Sequence, residues 1–572
     1  MSRKLKVVIL VLLAALTALV LLSWNRPQRV DMTAYVPADS LVYVEVNSLP
    51  DVLEGVTSSD AWKRLAPAAG VKSDVSGFGR LSKVAYWTGA GSAETVVLAR
   101  AQLAFVVLGF QASEEPGSSL KITPRAALVA ETHTGESRVR PLVERWAGDL
   151  ASRMFGATRV ERKDLGGAAV TVWASQENPR RKVVAGVADT LAVVGNDETA
   201  VVACLAVRRG ERQSLAGDAR LRESRARVGG SDALAFGYAP AGSAAKVLES
   251  TAPLYVEQIS EDPKTQSILA SVVPRLADRL LRSAAWGARV RDGAFEDRYL
   301  LELPEGVSAR LGASLTAAPE AAEGAYSLLP ADAYQVSRYG YADPAAAWAG
   351  FRAAVSSQVD TLHAPLVSLA LESLLKPYGI EEPREFLAAS GGEIVTARLD
   401  GESESKVLIV RARDAEALRA QVRARLGEGA RAETAGGQEM LVSRDAEGGA
   451  ASFVGEYLLM GGGEDVRRCL EARARGETLD KARPYTSARA RADGTPAQVS
   501  TVTSDAEYAA DFVNYFAPRG GERRDEEALR RELAALPYSV AETRLGETGF
   551  EKRTVSAFGL LGEIITRYGP RR

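Results

Sequence analysis

The sequence predicts an α+β fold: two tandem duplicated units with mixed or antiparallel sheets covered by helices, preceded by one transmembrane helix. Three observations predict it. Short apolar runs of period 2 alternate with stretches whose apolar residues recur every three or four positions, such as 140–155 and 415–426. The β-like runs are often joined by hairpin turns, as at Asp292-Gly293 and around Gly546, which favours antiparallel or mixed pairing over a doubly wound parallel sheet. Five short motifs also recur in the same order in the second half of the chain.

Those motifs place the elements in turn. Val36-Pro37-Ala38-Asp39 recurs as Leu329-Pro330-Ala331-Asp332, an offset of 293, and each copy leads into a strand and then a helix opened by a proline, Pro50 or Pro344. Ala126–Val129 and Val407–Val410, 281 apart, read as strands before amphipathic helices. Gly166-Gly167 and Gly436-Gly437, 270 apart, read as hairpin turns. Ala192–Gly195 and Leu458–Gly461, 266 apart, each precede a helix carrying a cysteine, Cys204 or Cys469. Phe295-Glu296-Asp297-Arg298 and Phe550-Glu551-Lys552-Arg553 close the series at 255. The offset falls in one direction only, as collinear copies with a longer first half require. The expected organisation is a short cytoplasmic N-terminus over 1–6, a transmembrane segment over 7–24, a first unit over 31–310 and a second over 325–572, joined by the Gly- and Ala-rich stretch 311–324.

Length and composition bound the function. A chain of 572 residues with 46% hydrophobic and 25% charged residues is too long for one small domain and too polar for a polytopic membrane protein. Residues 1–30 hold five basic groups and no acid, so the remaining 66 Lys and Arg face 73 Asp and Glu, a net charge of −7 that argues against nucleic acid as a partner. With two cysteines and two histidines, neither a disulfide framework nor the usual zinc-ligand spacing exists.

The run Val7–Leu22 has Thr17 as its single polar member and is followed by Ser23 and Trp24. Eighteen helical residues span roughly 27 Å, near the hydrocarbon thickness of a bilayer, with Trp24 at the interfacial position. Leu22-Ser23-Trp24-Asn25 lacks the small-x-small pattern of a cleavage site, so an uncleaved signal anchor is expected. Arg3, Lys4 and Lys6 before the run, against Arg26 and Arg29 after it, favour a cytoplasmic N-terminus. The body then lies outside the cytoplasm, on the inner membrane.

Catalytic motifs are sparse. The chain contains no Gly-Lys dipeptide and hence no phosphate-binding loop of that type, and it has no GxSxG elbow. Gly461-Gly462-Gly463-Glu464 and its counterpart Gly195-Asn196-Asp197-Glu198 read as tight strand-to-helix turns. Ser-x-x-Lys occurs at Ser118/Lys121, Ser243/Lys246 and Ser403/Lys406; only Ser243 sits at a helix start after a strand, where a serine is also the expected cap. His133 reads as a strand-end residue, His363 as part of an apolar helix, and Cys204 and Cys469 as small core side chains whose pairing stays open. Glu296 with Arg298, and Glu551 with Arg553, lie two apart on strands and so share a face, suited to cross-strand ion pairs or a binding face. Arg467, Arg468, Arg473 and Arg475 read as a solvated helix face beside Glu464, Asp465 and Glu471. No catalytic, cofactor or metal residue is assigned.

The anchor, the opening "VPADSLVYVEVNSLPDVLEGV", the stretch running into "FLAASGGEIVTARLD" and the segment "VLIVRARDAEALRAQV" resemble bacterial envelope proteins catalogued only as a domain of unknown function. That resemblance, extending from about Asp31 to the C-terminus, implies an extracytoplasmic α+β body on one membrane helix and supplies no catalytic residues. The expected function is a non-enzymatic scaffold or interaction module of the cell envelope, its partners the membrane and an envelope protein. The alternatives are a protein that binds a lipid, peptide or glycan fragment in the cleft between repeats, or a hydrolase using carboxylates or Ser243.

Overall fold

The computed structural model describes residues 29–568 except 72–81, 83, 86–90, 114–120, 260–262, 320–323, 360–363, 374, 376, 377, 379, 381, 403–405, 446–448 and 518–523. The expected membrane segment 7–24 lies outside the described residues; among them, no helix is long and apolar enough to cross a membrane. The body is α+β, as the alternation of periods predicts, and its strands pair antiparallel. The chain divides into two compact units, one comprising Met1–Glu54, Gly77–Phe110 and Thr123–Ala219, the other Gly55–Ser76, Gln111–Ile122 and Arg220–Arg572.

The first unit is built on β1 (Val42–Val46), β2 (Gln102–Ser113), β3 (Lys121–Glu131), β4 (Thr158–Leu165), β5 (Ala168–Ser175), β6 (Lys182–Ala188) and β7 (Leu191–Gly195). Their order is β1-β2-β3-β7-β6-β5-β4. The helix Glu136–Phe155 starts four residues before the apolar periodicity suggests, with Gly135 at its N-cap and Arg140 reaching one turn back to Glu136. It lays Val139, Val143, Ala147 and Ala151 on Trp173, Val183, Ala185 and Val187. On the opposite face Leu205, from the helix Glu198–Arg208, packs over Gly186.

The second unit contains β8 (Ala235–Ala239), β9 (Ser283–Arg291), β10 (Ala294–Glu302), β11 (Gln335–Gly340), β12 (Ser390–Arg398), β13 (Val407–Ala412), β14 (Arg431–Ala435), β15 (Gln438–Val442), β16 (Ala450–Val454), β17 (Tyr457–Gly461), β18 (Val499–Thr503), β19 (Ser539–Leu545) and β20 (Gly549–Ser556). Within it, β11-β12-β13-β17-β16-β15-β14 follows the strand order of the first unit with every number raised by ten, and the meanders β8-β9-β10 and β18-β19-β20 meet where β10 pairs with β20. The helix Ala415–Leu426, capped by Asp414, covers Leu408, Val410, Leu458 and Met460. The helix Gly463–Arg475 places Val466, Cys469 and Leu470 in the cluster that holds Val407, Ile409 and Leu459.

One sequence match shifts by a residue. Ala127 lies opposite Gly195, and Leu408 lies opposite Met460, which brings Val407 against Gly461. Ala127 therefore occupies the place of Val407, at an offset of 280 rather than 281; side chains alternate along a strand, so one residue decides which face each takes.

The glycine pairs form two-residue hairpin turns with both residues at positive φ: 58° and 72° at Gly166-Gly167, 55° and 76° at Gly436-Gly437. The two positions of the second turn differ in space. A Cβ on Gly436 would lie 2.3 Å from the Leu470 carbonyl oxygen, whereas one on Gly437 meets nothing within 4 Å. Gly437→Ala is therefore expected to cost about 1–2 kcal/mol, the left-handed backbone penalty alone, and Gly436→Ala about 3 kcal/mol or more because a helix backbone must also move. Urea midpoints of the two variants at unchanged m-value check the order; equal midpoints would contradict it.

Candidate functional site

A transverse row of polar side chains crosses the second unit's sheet. Register sets Arg338 of β11 opposite Ser500 of β18, Ser500 opposite Glu542 of β19, Glu542 opposite Arg553 of β20, and Arg553 opposite Arg298 of β10. Two arginines directly opposed repel unless an anion lies between them. Glu296, two residues before Arg298 and so on the same face, supplies it: its carboxylate accepts from Arg298 Nε at 2.9 Å, from Arg553 Nε at 3.0 Å, and from Arg289, its direct opposite on β9. Glu542 continues the row, 3.4 Å from Arg553 Nη1 and 3.0 Å from Arg544 Nη2.

Three of these groups pin the segment 491–496 over the sheet. Arg544 bonds Asp493 at 2.6 Å and donates to the carbonyls of Thr495 and Pro496; Arg553 donates to the Arg491 carbonyl at 3.0 Å; the Asp493 N–H donates to Glu542. A hollow lies on each side. One, of about 110 Å³, has Tyr326, Arg338, Thr495, Ser500 and Glu542 in its lining. The other, of about 130 Å³, is lined by Arg227, Arg298, Arg544, Lys552 and Arg553 against Asp493 and Glu551, together with Val228, Tyr299 and Leu300.

Arg338 is 2% exposed, a cost that only pairing offsets. Its Nε donates to Glu393 at 3.1 Å and its Nη2 to the Pro319 carbonyl at 3.2 Å, while the Tyr457 hydroxyl donates to the second Glu393 oxygen at 3.2 Å. Burial and the Glu393 charge push the Tyr457 phenol up to about 12, so it stays a donor.

Three carboxylates of the second unit have strongly displaced ionisation. Burial acts to raise Glu296, but hydrogen bonds from Arg298 and Arg289 and the charge of Arg553 outweigh it and hold the carboxyl at about 2. Asp297, on the opposite face of β10, is pushed up to about 6 by burial, against donation from Trp286 Nε1 at 2.8 Å and the Leu560 N–H at 3.0 Å and the charge of Lys552. Asp505 is likewise raised to about 6 by burial, against the Ala557 N–H, the Ser539 hydroxyl and Arg491. Both aspartates hold the turn that leads into the helix Gly559–Tyr568.

The residues singled out from sequence are dispersed. Ser243 opens the helix Ser243–Ile259 and is buried, Lys246 is exposed, and no hydrogen bond joins them. Ser118, Ser403 and His363 lie outside the described residues. His133, at φ 50°, follows β3, with Nε2 3.3 Å from Gln102 Oε1; burial lowers its pKa despite the nearby Glu131. Cys204 and Cys469 are buried free thiols pushed up to about 12 by burial. Asp197 caps its helix through the Ala200 N–H at 3.1 Å, whereas Gly462 occupies the cap position of the second copy. Arg467 and Arg468 pair with Glu433 and Asp332 rather than only with charges on their own helix. Glu296, Arg298, Glu551 and Arg553 come together on β10 and β20, though Glu551 turns to Arg227 instead of Arg298. Among the described residues no cluster of three or more His, Cys, Asp or Glu side chains is arranged to hold a metal ion. Arg338, Glu393, Glu542 and Asp493 were not singled out; the signal for Arg338 was its parity with the apolar Val336 in an otherwise uncharged strand.

No family model, curated protein or solved structure matches the chain.

Glu296→Gln leaves three arginines short of an anion and is expected to cost about 3–5 kcal/mol, as when one partner of a buried pair is removed. Arg298→Gln, at a half-exposed site, is expected to cost about 1 kcal/mol or less. Chemical denaturation compares them. The pH profile follows from sign: Glu296, depressed when folded, contributes stability above its unfolded value near 4 that is lost as pH falls toward 2. Asp297 and Asp505, raised when folded, contribute stability below about 4 that is lost as pH rises to about 6. Asp505→Asn is therefore expected to flatten the decline between pH 4 and 6; an unchanged slope would contradict the assignment.

Proposed function

We propose that the chain is a non-enzymatic, membrane-anchored extracytoplasmic protein of the cell envelope, in which two copies of one α+β unit form a scaffold or interaction module. The observation that carries the duplication is the common strand order. β1 to β7 and β11 to β17 are arranged alike, and the meanders β8-β9-β10 and β18-β19-β20 meet with Arg298 directly opposite Arg553, its own counterpart in the repeat. A local two-fold relation follows, because the residue 255 positions after Arg298 is the one that faces it. The copies begin near 31 and 325 on this reading, with 311–324 between them.

The non-enzymatic reading rests on how the polar groups are spent. The charges of the row bind one another or hold the backbone of 491–496, and Ser243 is a buried residue at a helix start whose sequence partner Lys246 is exposed. The location rests on the apolar run 7–22 and its basic leader.

A second reading is favoured by one observation: the hollow of about 130 Å³ beside 491–496 carries five cationic side chains against two acidic ones. A peptide or glycan fragment with anionic groups suits that lining better than a lipid does.

An alkaline phosphatase domain fused after Arg572 is expected to be active in intact cells, and the mature chain to retain its first residues. Activity only of a cytoplasmic reporter at that position would overturn the location, and a mature N-terminus beyond Trp24 would overturn the anchor.

A further inference from the structure

The first unit carries an open apolar face that its counterpart in the second unit closes. Val96, Phe105, Leu128, Trp146, Leu150 and Met154 are large apolar side chains between 36% and 53% exposed. Trp146, Leu150 and Met154 are spaced by four along the helix Glu136–Phe155 and form one stripe. Leu128 lies opposite Val194, which packs against Ala147 and Ala151 of that helix, so it faces the same way. Phe105 alternates with the buried Ala104 and Val106 as Leu128 does with Ala127 and Val129. The helix Ser92–Arg100, bearing Val96, is tied alongside by the Glu94–Arg145 pair at 2.9 Å.

In the second unit the equivalent surface is a core. Leu408, in the place of Leu128, is 2% exposed beneath Phe386 and Leu387 of the helix Pro383–Ala389. The covering helix there has 12 residues against 20 in the first unit, and the additional turns carry Leu150 and Met154. The first copy has therefore extended an apolar stripe into solvent.

Two observations identify its occupant. Val30, six residues beyond Trp24, exchanges backbone hydrogen bonds with the Gln102 side chain at 2.8 and 2.9 Å, at the start of the strand that carries Phe105. Six residues reach at most about 20 Å, and three strand positions add about 10 Å, so the chain length keeps Phe105 within about 30 Å of Trp24, the end of the expected membrane segment 7–24. The stretch 136–182, which contains the stripe, has ten basic and six acidic residues, a net +4 within a body of net −7. Exposed tryptophan and aliphatic side chains with a local positive charge match an anionic bilayer surface.

We propose that this face docks on the surface of the bilayer that holds the anchor, laying Trp146, Leu150 and Met154 among the lipid headgroups and upper acyl chains. The proposal rests on the reading of 7–24 as a membrane anchor.

The test uses the full chain in vesicles containing phosphatidylglycerol, with a fluorophore on Leu150→Cys and, as reference, on Gln213→Cys. Gln213 is exposed and follows the helix Glu198–Arg208 on the other side of the sheet. Both native thiols are buried, which directs labelling to the introduced cysteine. A lipid-borne quencher is expected to quench the label at 150 and spare that at 213. Adding Trp146→Ser and Met154→Ser, both at exposed sites, is expected to abolish the difference while leaving the melting transition in place. Equal, weak quenching at both positions would overturn the docking. So would a label at 150 shielded from water-borne quencher in detergent alone, which would mean that another part of the chain covers the face, or self-quenching that grows with protein density, which would mean that a second copy does. Alkaline carbonate extraction separates the two claims: release of the protein refutes the anchor, whereas retention with a water-exposed label refutes the docking alone.

Discussion

The pairing of β10 with β20 depends on one buried carboxylate. Arg298 and Arg553 face each other across those strands, and without Glu296 the two guanidiniums would repel where the meanders meet. With Glu296 in place, three arginines from three strands share one anion, and burial of the group strengthens each bond it accepts. The low ionisation of Glu296 and the fixed positions of Arg289 and Arg553 both follow from that arrangement.

If the chain is duplicated as proposed, the same arrangement accounts for an asymmetry between the copies. Under a strict two-fold relation Glu551 would serve Arg298 as Glu296 serves Arg553. The position 255 before Glu542 is Gly287, so only the β19 side carries an extra acid. Arg544, the counterpart of Arg289, turns to that acid and to Asp493, and Glu551 is left to pair with Arg227. On that reading the difference between Gly287 and Glu542 sets the cluster on Glu296 apart from a clamp on the backbone of 491–496, with a hollow on each side of that segment.

Legibility in the sequence followed the range of the interactions. Hairpin turns, capped helices and the order of elements depend on neighbours a few residues apart, and the turn at Gly436-Gly437 and the helix Ala415–Leu426 lie where the local pattern places them. Glu296 and Arg553 were legible as a motif because two copies display it. Arg338 with Glu393, and Glu542 with Asp493, unite residues about fifty apart through register, and a one-residue slip of the kind found at Ala127 is enough to move a side chain to the wrong face. The aspartates at 297 and 505 were hidden for a related reason: each is defined by a backbone N–H arriving from the 557–560 turn, which no composition or spacing announces.

The two units treat the same kind of apolar sheet face differently. A core must be closed wherever the sheet would otherwise wet its apolar residues, and the second unit does so with Phe386, Leu387 and the short helix over Leu408. The first unit leaves Leu128 36% exposed, and its 20-residue helix Glu136–Phe155 leaves Trp146, Leu150 and Met154 exposed. Exposed apolar area of that kind is unfavourable in water and promotes self-association, and cover by a bilayer, as proposed above, would offset that cost.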